Sequence, residues 1–232
     1  MTIDATIQTR ARPVSAGAVL LAIGVMLSGV SPAGAAEFSA SVTDAAGTAL
    51  ADAVVLLEPV GAAPGAQAPV PVVVEPRMDQ VDETFVPHVL AVPRGASVRF
   101  ANSDRTRHHV YAFSPQQTFD VTLDAQSEGK TVPFDQPGVV PLGCNIHDHM
   151  LAFVVVSESP WFGRTDAEGR TMIADVPDGA YTARVWFAGA RPGWADPVPV
   201  TITGDSVALT LTAAGYVPAR PPTRRGFDVQ PY

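Results

Sequence analysis

The sequence predicts an all-β protein made of two sandwiches, on three observations. Short runs that alternate apolar and polar residues recur between turn signals along most of the chain, and no segment sustains a helical period. Glycine and proline are abundant, 19 and 22 of 232 residues, which favours many turns and short strands over long helices. The strands outnumber those of one small sandwich, and a chain of this length holds one or two domains. A composition of 47% hydrophobic and 16% charged residues supplies a real core and argues against disorder.

Residues 1–35 read as a signal peptide. Arg10 and Arg12 form a basic start, residues 14–30 are an uncharged apolar run, and Ala33-Gly34-Ala35 offers the small residues of a cleavage site. The apolar run is short for a membrane span of about 20 residues, so no span is expected after cleavage. The expected destination is the periplasm. The formal charge of −8 becomes −9 without this segment, because two arginines and one aspartate leave with it. An acidic protein of this kind is not expected to bind nucleic acid or anionic membranes.

The mature chain opens with a strand at 38–42, a turn at Asp44-Ala45-Ala46-Gly47 and an apolar, β-branched strand at 53–57. Residues 59–71 are rich in Pro, Gly and Ala and read as a loop. Residues 72–74 begin a second strand-rich region. A strand is expected at 85–92, where Pro87 argues for an edge or bulge position. After the turn Pro93-Arg94-Gly95, residues 96–100 alternate cleanly, with Ala96, Val98 and Phe100 on the inward face. Asn102-Ser103-Asp104 breaks that strand. Further strands follow at 108–113, around Val121 and Leu123, at 131–134, at 139–144 after Pro137-Gly138, and at 151–156. Past Trp161 the turn-and-strand grammar of the N-terminus returns. Thr165-Asp166-Ala167-Glu168-Gly169 and Pro177-Asp178-Gly179 are turns, and strands are expected at 172–176, 181–187, 198–202 and 207–211. Residues 214–232 form a Pro-rich tail without a core pattern.

The chemistry is concentrated in Cys144-Asn145-Ile146-His147-Asp148-His149-Met150, which holds the only cysteine and two of the five histidines. A lone cysteine in an exported protein has no internal disulfide partner, and a role as metal ligand accounts for it. Thiolate, imidazole and thioether at steps of three suit a soft metal. Copper fits all three, as a His₂Cys plane with a weak axial Met. The loop lacks one equatorial imidazole, and His108 or His109 is its source. Neighbours on a strand face opposite sides, so only one of the pair points into the site, and periodicity leaves either open. Cys144, His147, His149 and His108 also make a tetrahedral zinc set. A nucleophilic cysteine would need an oxyanion motif, and none accompanies it. Asn102 and Asn145 are candidates to hydrogen-bond the loop from outside the ligand set. His88 reads as a satisfied strand histidine, and Trp161, Trp186 and Trp194 read as packing residues.

Gly95-x-x-Val98-x-Phe100-x-Asn102, the His-x-Val at 108–110, Pro137-Gly138 and the Cys-x-x-His-x-x-Met at 144–150 together resemble the cupredoxins, most closely their amicyanin-type, methylamine-utilization members. That resemblance implies a Greek-key sandwich over residues 69–157, with one type 1 copper ion held by His108, Cys144, His147 and Met150. It also implies a non-enzymatic electron carrier. His147 would be the imidazole nearest solvent, and a dehydrogenase or cytochrome the redox partner. The runs Val42-x-Asp44-x-x-Gly47 and Val176-Pro177-x-Gly179-x-Tyr181 resemble the two halves of carboxypeptidase-regulatory-like sandwiches. Residues 37–60 and 160–213 are therefore expected to form one such sandwich, discontinuous around the cupredoxin. A rival function is copper storage, in which His149, His109 and His88 add affinity without electron transfer.

Overall fold

The computed structural model describes residues 5–9, 35–61, 75–189, 194–203 and 207–213. Among these there are strands and no helix. Three strands come first: β1 (Ala5–Thr9), β2 (Ala35–Asp44) and β3 (Val54–Pro59). The middle set is β4 (Arg77–Val81), β5 (Thr84–Val86), β6 (Val89–Pro93), β7 (Ala96–Asn102), β8 (His108–Phe113), β9 (Thr118–Leu123), β10 (Ser127–Phe134), β11 (Gly138–Cys144) and β12 (Leu151–Ser157). The last set is β13 (Phe162–Arg164), β14 (Arg170–Pro177), β15 (Gly179–Trp186), β16 (Val198–Ile202) and β17 (Val207–Ala213).

The middle set forms one sandwich. A sheet in the order β10-β7-β4-β5 packs on one in the order β6-β12-β11-β8-β9. Their shared core includes Phe100, Phe134, Val110, Ala112, Leu142 and Val154. Phe100 is fully buried, with its ring 5.2 Å from Phe119 and 6.3 Å from Phe134. The first and last sets form the second sandwich, β1-β17-β2-β14 over β13-β3-β15-β16. β2 runs antiparallel to β14 and parallel to β17, while β3 lies between β13 and β15. The fold is thus all-β, and the second sandwich is discontinuous around the first.

Two apolar runs in the sequence are explained by burial on both faces. On β3, Val55 and Leu57 enter the core of the outer sandwich, while Val54 and Leu56 pack the other way with Val89, Val155 and Trp186. On β12, Val154 and Val156 face the middle core and Val155 joins that same joint between sandwiches. Trp186 is 5.1 Å from Phe153 across this joint. Trp161 packs in the outer core and Trp194 against the joint, as packing residues.

Several local expectations are corrected. The single strand expected at 85–92 is two, and they lie in different sheets: β5 pairs with β4, and β6 runs parallel to β12. Pro87 stands between them, and without an N–H it cannot extend the β5 ladder. β10 starts earlier than expected, at Ser127, with a register shift before Lys130. Gly129 makes that bulge possible: its φ is +84°, and a Cβ there would sit 1.6 Å from the Phe100 carbonyl oxygen. Strands β1, β4 and β13 were not anticipated, and β1 lies inside the segment read as a signal peptide, paired with β17. The apolar run of that segment at 14–30, the strand expected at 72–74 and the tail at 214–232 lie outside the described residues. Among the described residues no helix is long and apolar enough to cross a membrane.

Candidate metal centre

The site lies at one end of the middle sandwich, where β8 and β11 come together. Their register places Cys144 opposite Val110 and Gly143 opposite Tyr111. Gly143 leaves room for the Tyr111 ring, which a Cβ would approach to 2.6 Å and push aside. Alternation along β8 buries His108, Val110 and Ala112 and turns His109 outward. The strand thereby separates the two adjacent imidazoles: His108 is fully buried beside Cys144, which is 3% exposed.

The loop after β11 brings back a second imidazole. His108 Nδ1 is 3.8 Å from Cys144 Sγ and 3.2 Å from His147 Nδ1. The ligand atoms of His108, Cys144 and His147 all lie within 4.8 Å of one another. Met150 is 3% exposed in the same core cluster as Cys144, and its N–H donates to the His147 carbonyl at 2.9 Å, closing the loop. Two neutral imidazoles whose Nδ1 atoms face each other can share only one proton, so this grouping gains most from a cation between its donors. Sulfur and two imidazole nitrogens, with a thioether close in the chain, are a donor set that fits copper.

The other nitrogen of His108 hydrogen-bonds a carboxylate, and that of His147 faces one beyond hydrogen-bond reach. His108 Nε2 is 2.8 Å from Asp104 Oδ2, and His147 Nε2 is 3.9 Å from Glu83 Oε1. Asp104 also accepts the backbone N–H groups of Asp82 at 2.6 Å and Glu83 at 2.9 Å. Burial works against its charged form, but the Glu83 N–H, the His108 ring and the Asp82 N–H outweigh burial and hold its pKa below the ordinary value. Neither Asp104 nor Glu83 was expected at the site. The signal for Asp104 was its place four residues before His108, which reads equally well as part of a turn. Glu83 carried no signal, because the β4–β5 turn reaches the site only through tertiary folding.

The other expected residues are placed as follows. Asn102 is buried, but it does not touch the 144–150 loop. Its Nδ2 donates to the carbonyls of Thr106 at 2.8 Å and Asp124 at 2.9 Å, and its Oδ1 accepts the Asp104 N–H at 2.9 Å. It therefore shapes the turn that carries Asp104. Asn145 does tie the loop down: its N–H donates to the His109 carbonyl at 3.0 Å, and its side chain meets His109 Nδ1 at 3.2 Å. The other His109 nitrogen contacts Asp120. His149 lies outside the close cluster, with Nε2 3.2 Å from the Glu83 carbonyl and its ring 6.1 Å from that of His147. His88 is satisfied by the Leu151 carbonyl at 3.0 Å, but it sits in the bend between β5 and β6 and not on a strand as expected.

No family model matches the chain, and no curated protein matches it. Among solved structures it is similar to a purple cupredoxin from Nitrosopumilus maritimus, with 21% identity, 35% of this chain and 99% of that one covered, and a TM-score of 0.31. It is also similar to a copper-containing nitrite reductase from Thermus scotoductus, with 27% identity, 44% of this chain and 26% of that one covered, and a TM-score of 0.33. A mutant of amicyanin in its reduced Cu(I) form matches at 18% identity over 44% of this chain and 98% of its own, with a TM-score of 0.33.

Proposed function

We propose that this protein is an exported, periplasmic type 1 copper protein that carries single electrons between redox proteins. The observation that carries this reading is the convergence of His108 Nδ1, His147 Nδ1 and Cys144 Sγ within 4.8 Å at the end of a rigid sandwich. In this reading those three and Met150 would hold the copper ion. Copper would supply the one-electron couple for transfer between a donor and an acceptor protein. The chain's part is to hold the donors still. Cys144 and His108 sit on paired strands, and the loop that returns His147 is pinned by Asn145 at one end and Met150 at the other. Ile146 and Leu151 are exposed beside this loop, and with the partly exposed His147 they give a redox partner an apolar place to dock.

Visible spectroscopy of the protein loaded with Cu(II) tests the reading. An intense thiolate-to-copper charge-transfer band is expected, lost in Cys144→Ser and kept in His149→Ala. A pale spectrum that bleaches with His149→Ala instead would replace electron transfer with copper storage and a different ligand set.

A further inference from the structure

The two imidazoles that face each other through Nδ1 are both met from behind by acids, and the two acids are tied together. Asp104 lies 2.8 Å from His108 Nε2 and at the same time accepts the N–H of Glu83, whose own carboxylate is 3.9 Å from His147 Nε2. The β4–β5 turn that carries Glu83 is held in an unusual shape. Asp82 and Glu83 have φ of 51° and 55°, a left-handed conformation that non-glycine residues adopt uncommonly. Asp104 bonds the N–H of both. Further contacts fasten the same hairpin to the same turn: the Ser103 N–H reaches the Gln80 carbonyl at 3.0 Å, and the Ser103 hydroxyl donates to Asp79 at 2.8 Å.

We propose that Asp104 and Glu83 form an outer carboxylate pair that lowers the centre's reduction potential, and that Asp104 also keeps the His108 Nδ1 lone pair aimed into the site. Asp104 is the positioning residue for His108, while Glu83, 3.9 Å from His147 Nε2, acts through its charge alone. A carboxylate on Nε2 keeps the ring proton there, which leaves Nδ1 as the free donor and makes the imidazole a stronger base. Two negative charges beside the ligands favour the more positive metal, Cu(II), over Cu(I). Asp104 contributes more, since its contact is shorter and its side chain is 12% exposed against 27% for Glu83.

This inference rests on the type 1 copper reading, and its test has one arm that needs no metal. In the metal-free full chain, nitrogen-detected NMR is expected to find the His108 proton on Nε2. Asp104→Asn should preserve it, because an amide oxygen accepts the same bond. In the copper-loaded protein, Asp104→Asn is expected to shift the balance between Cu(II) and Cu(I) at least tenfold toward Cu(I). That is a rise of about 59 mV in potential. Glu83→Gln leaves the backbone clamp intact and should give a smaller rise. Asp148→Asn, which removes an exposed loop charge with no ring contact, should shift the potential least, because solvent and salt screen it. A His108 proton on Nδ1 in the metal-free chain overturns the positioning role. A shift in Asp104→Asn no larger than in Asp148→Asn overturns the effect on potential. A pale Cu(II) spectrum of the unsubstituted protein counts instead against the copper-carrier reading, and the metal-free arm still decides the role of Asp104.

Discussion

Asn102 shows how a single residue beneath the site governs its outer layer. It is 1% exposed, and its side chain joins the Thr106, Leu123 and Asp124 carbonyls and the Asp104 N–H. Leaving a buried polar group unpaired costs about 1–3 kcal/mol. Water can repair the partners nearest the surface, so Asn102→Ala is expected to destabilise the metal-free protein by about 2 kcal/mol, read from urea unfolding. It should also loosen the turn that carries Asp104. The composition of the inner site was legible because Cys144, His147 and Met150 are close in sequence. The choice of His108 over His109 was not legible from alternation alone, because alternation says only that the two differ. The fold separates the two by burying His108 on one face of β8 and leaving His109 on the other. The outer carboxylates were illegible for another reason: Asp104 meets Asp82 and Glu83 across 22 and 21 positions of chain, through backbone groups that carry no residue-type signature.

At the scale of elements, the outer sandwich repeats one turn. Asp44 Oδ1 accepts the N–H groups of Ala46 at 2.9 Å and Thr48 at 2.8 Å, and Asp166 Oδ1 accepts those of Glu168 at 3.0 Å and Arg170 at 2.8 Å. Gly47 and Gly169 close them at φ +82° and +72°, values that glycine adopts without cost. These D-x-x-G turns were readable in the sequence because side-chain capping and left-handed glycine are local physics. The split at Pro87 was less so: a missing N–H says where a ladder ends, but not that the chain crosses to the other sheet. The second turn also carries a pH signature. The Arg170 N–H, and more weakly the Arg170 charge, hold the Asp166 carboxyl below its ordinary value of 3.8. A group with a lowered folded pKa stabilises above its unfolded value and loses that contribution as pH falls through the folded one. Asp166→Asn is therefore expected to melt below the unsubstituted protein at pH 7, with the gap closing as the pH drops below 3.8. Thermal melts across that range check it.

At the scale of the molecule, the joint between the sandwiches decides whether the candidate metal centre and the outer sandwich behave as one body. Val54 and Leu56 of β3 and Trp186 of β15 pack on Val89 of β6 and Val155 of β12, all of them buried. The joint was visible in the sequence only as unbroken apolar runs where alternation should have left polar residues, at 53–57 and 154–156. One-sided strands do not need such runs, and a second covered face explains them. A ligand that binds only the folded state raises the melting point of whatever unfolds together with its site. With the joint intact, copper is expected to raise a single calorimetric transition for the whole described structure. Trp186→Ala removes a side chain that is 4% exposed and packed 5.1 Å from Phe153, a loss of about 3–5 kcal/mol where the cavity does not collapse. That loss falls on the contact between bodies as well as on the outer sandwich. The variant should therefore show two transitions, with copper raising only the one that belongs to the middle sandwich. A variant in which both transitions still move with copper would mean that the apolar joint does not carry the coupling.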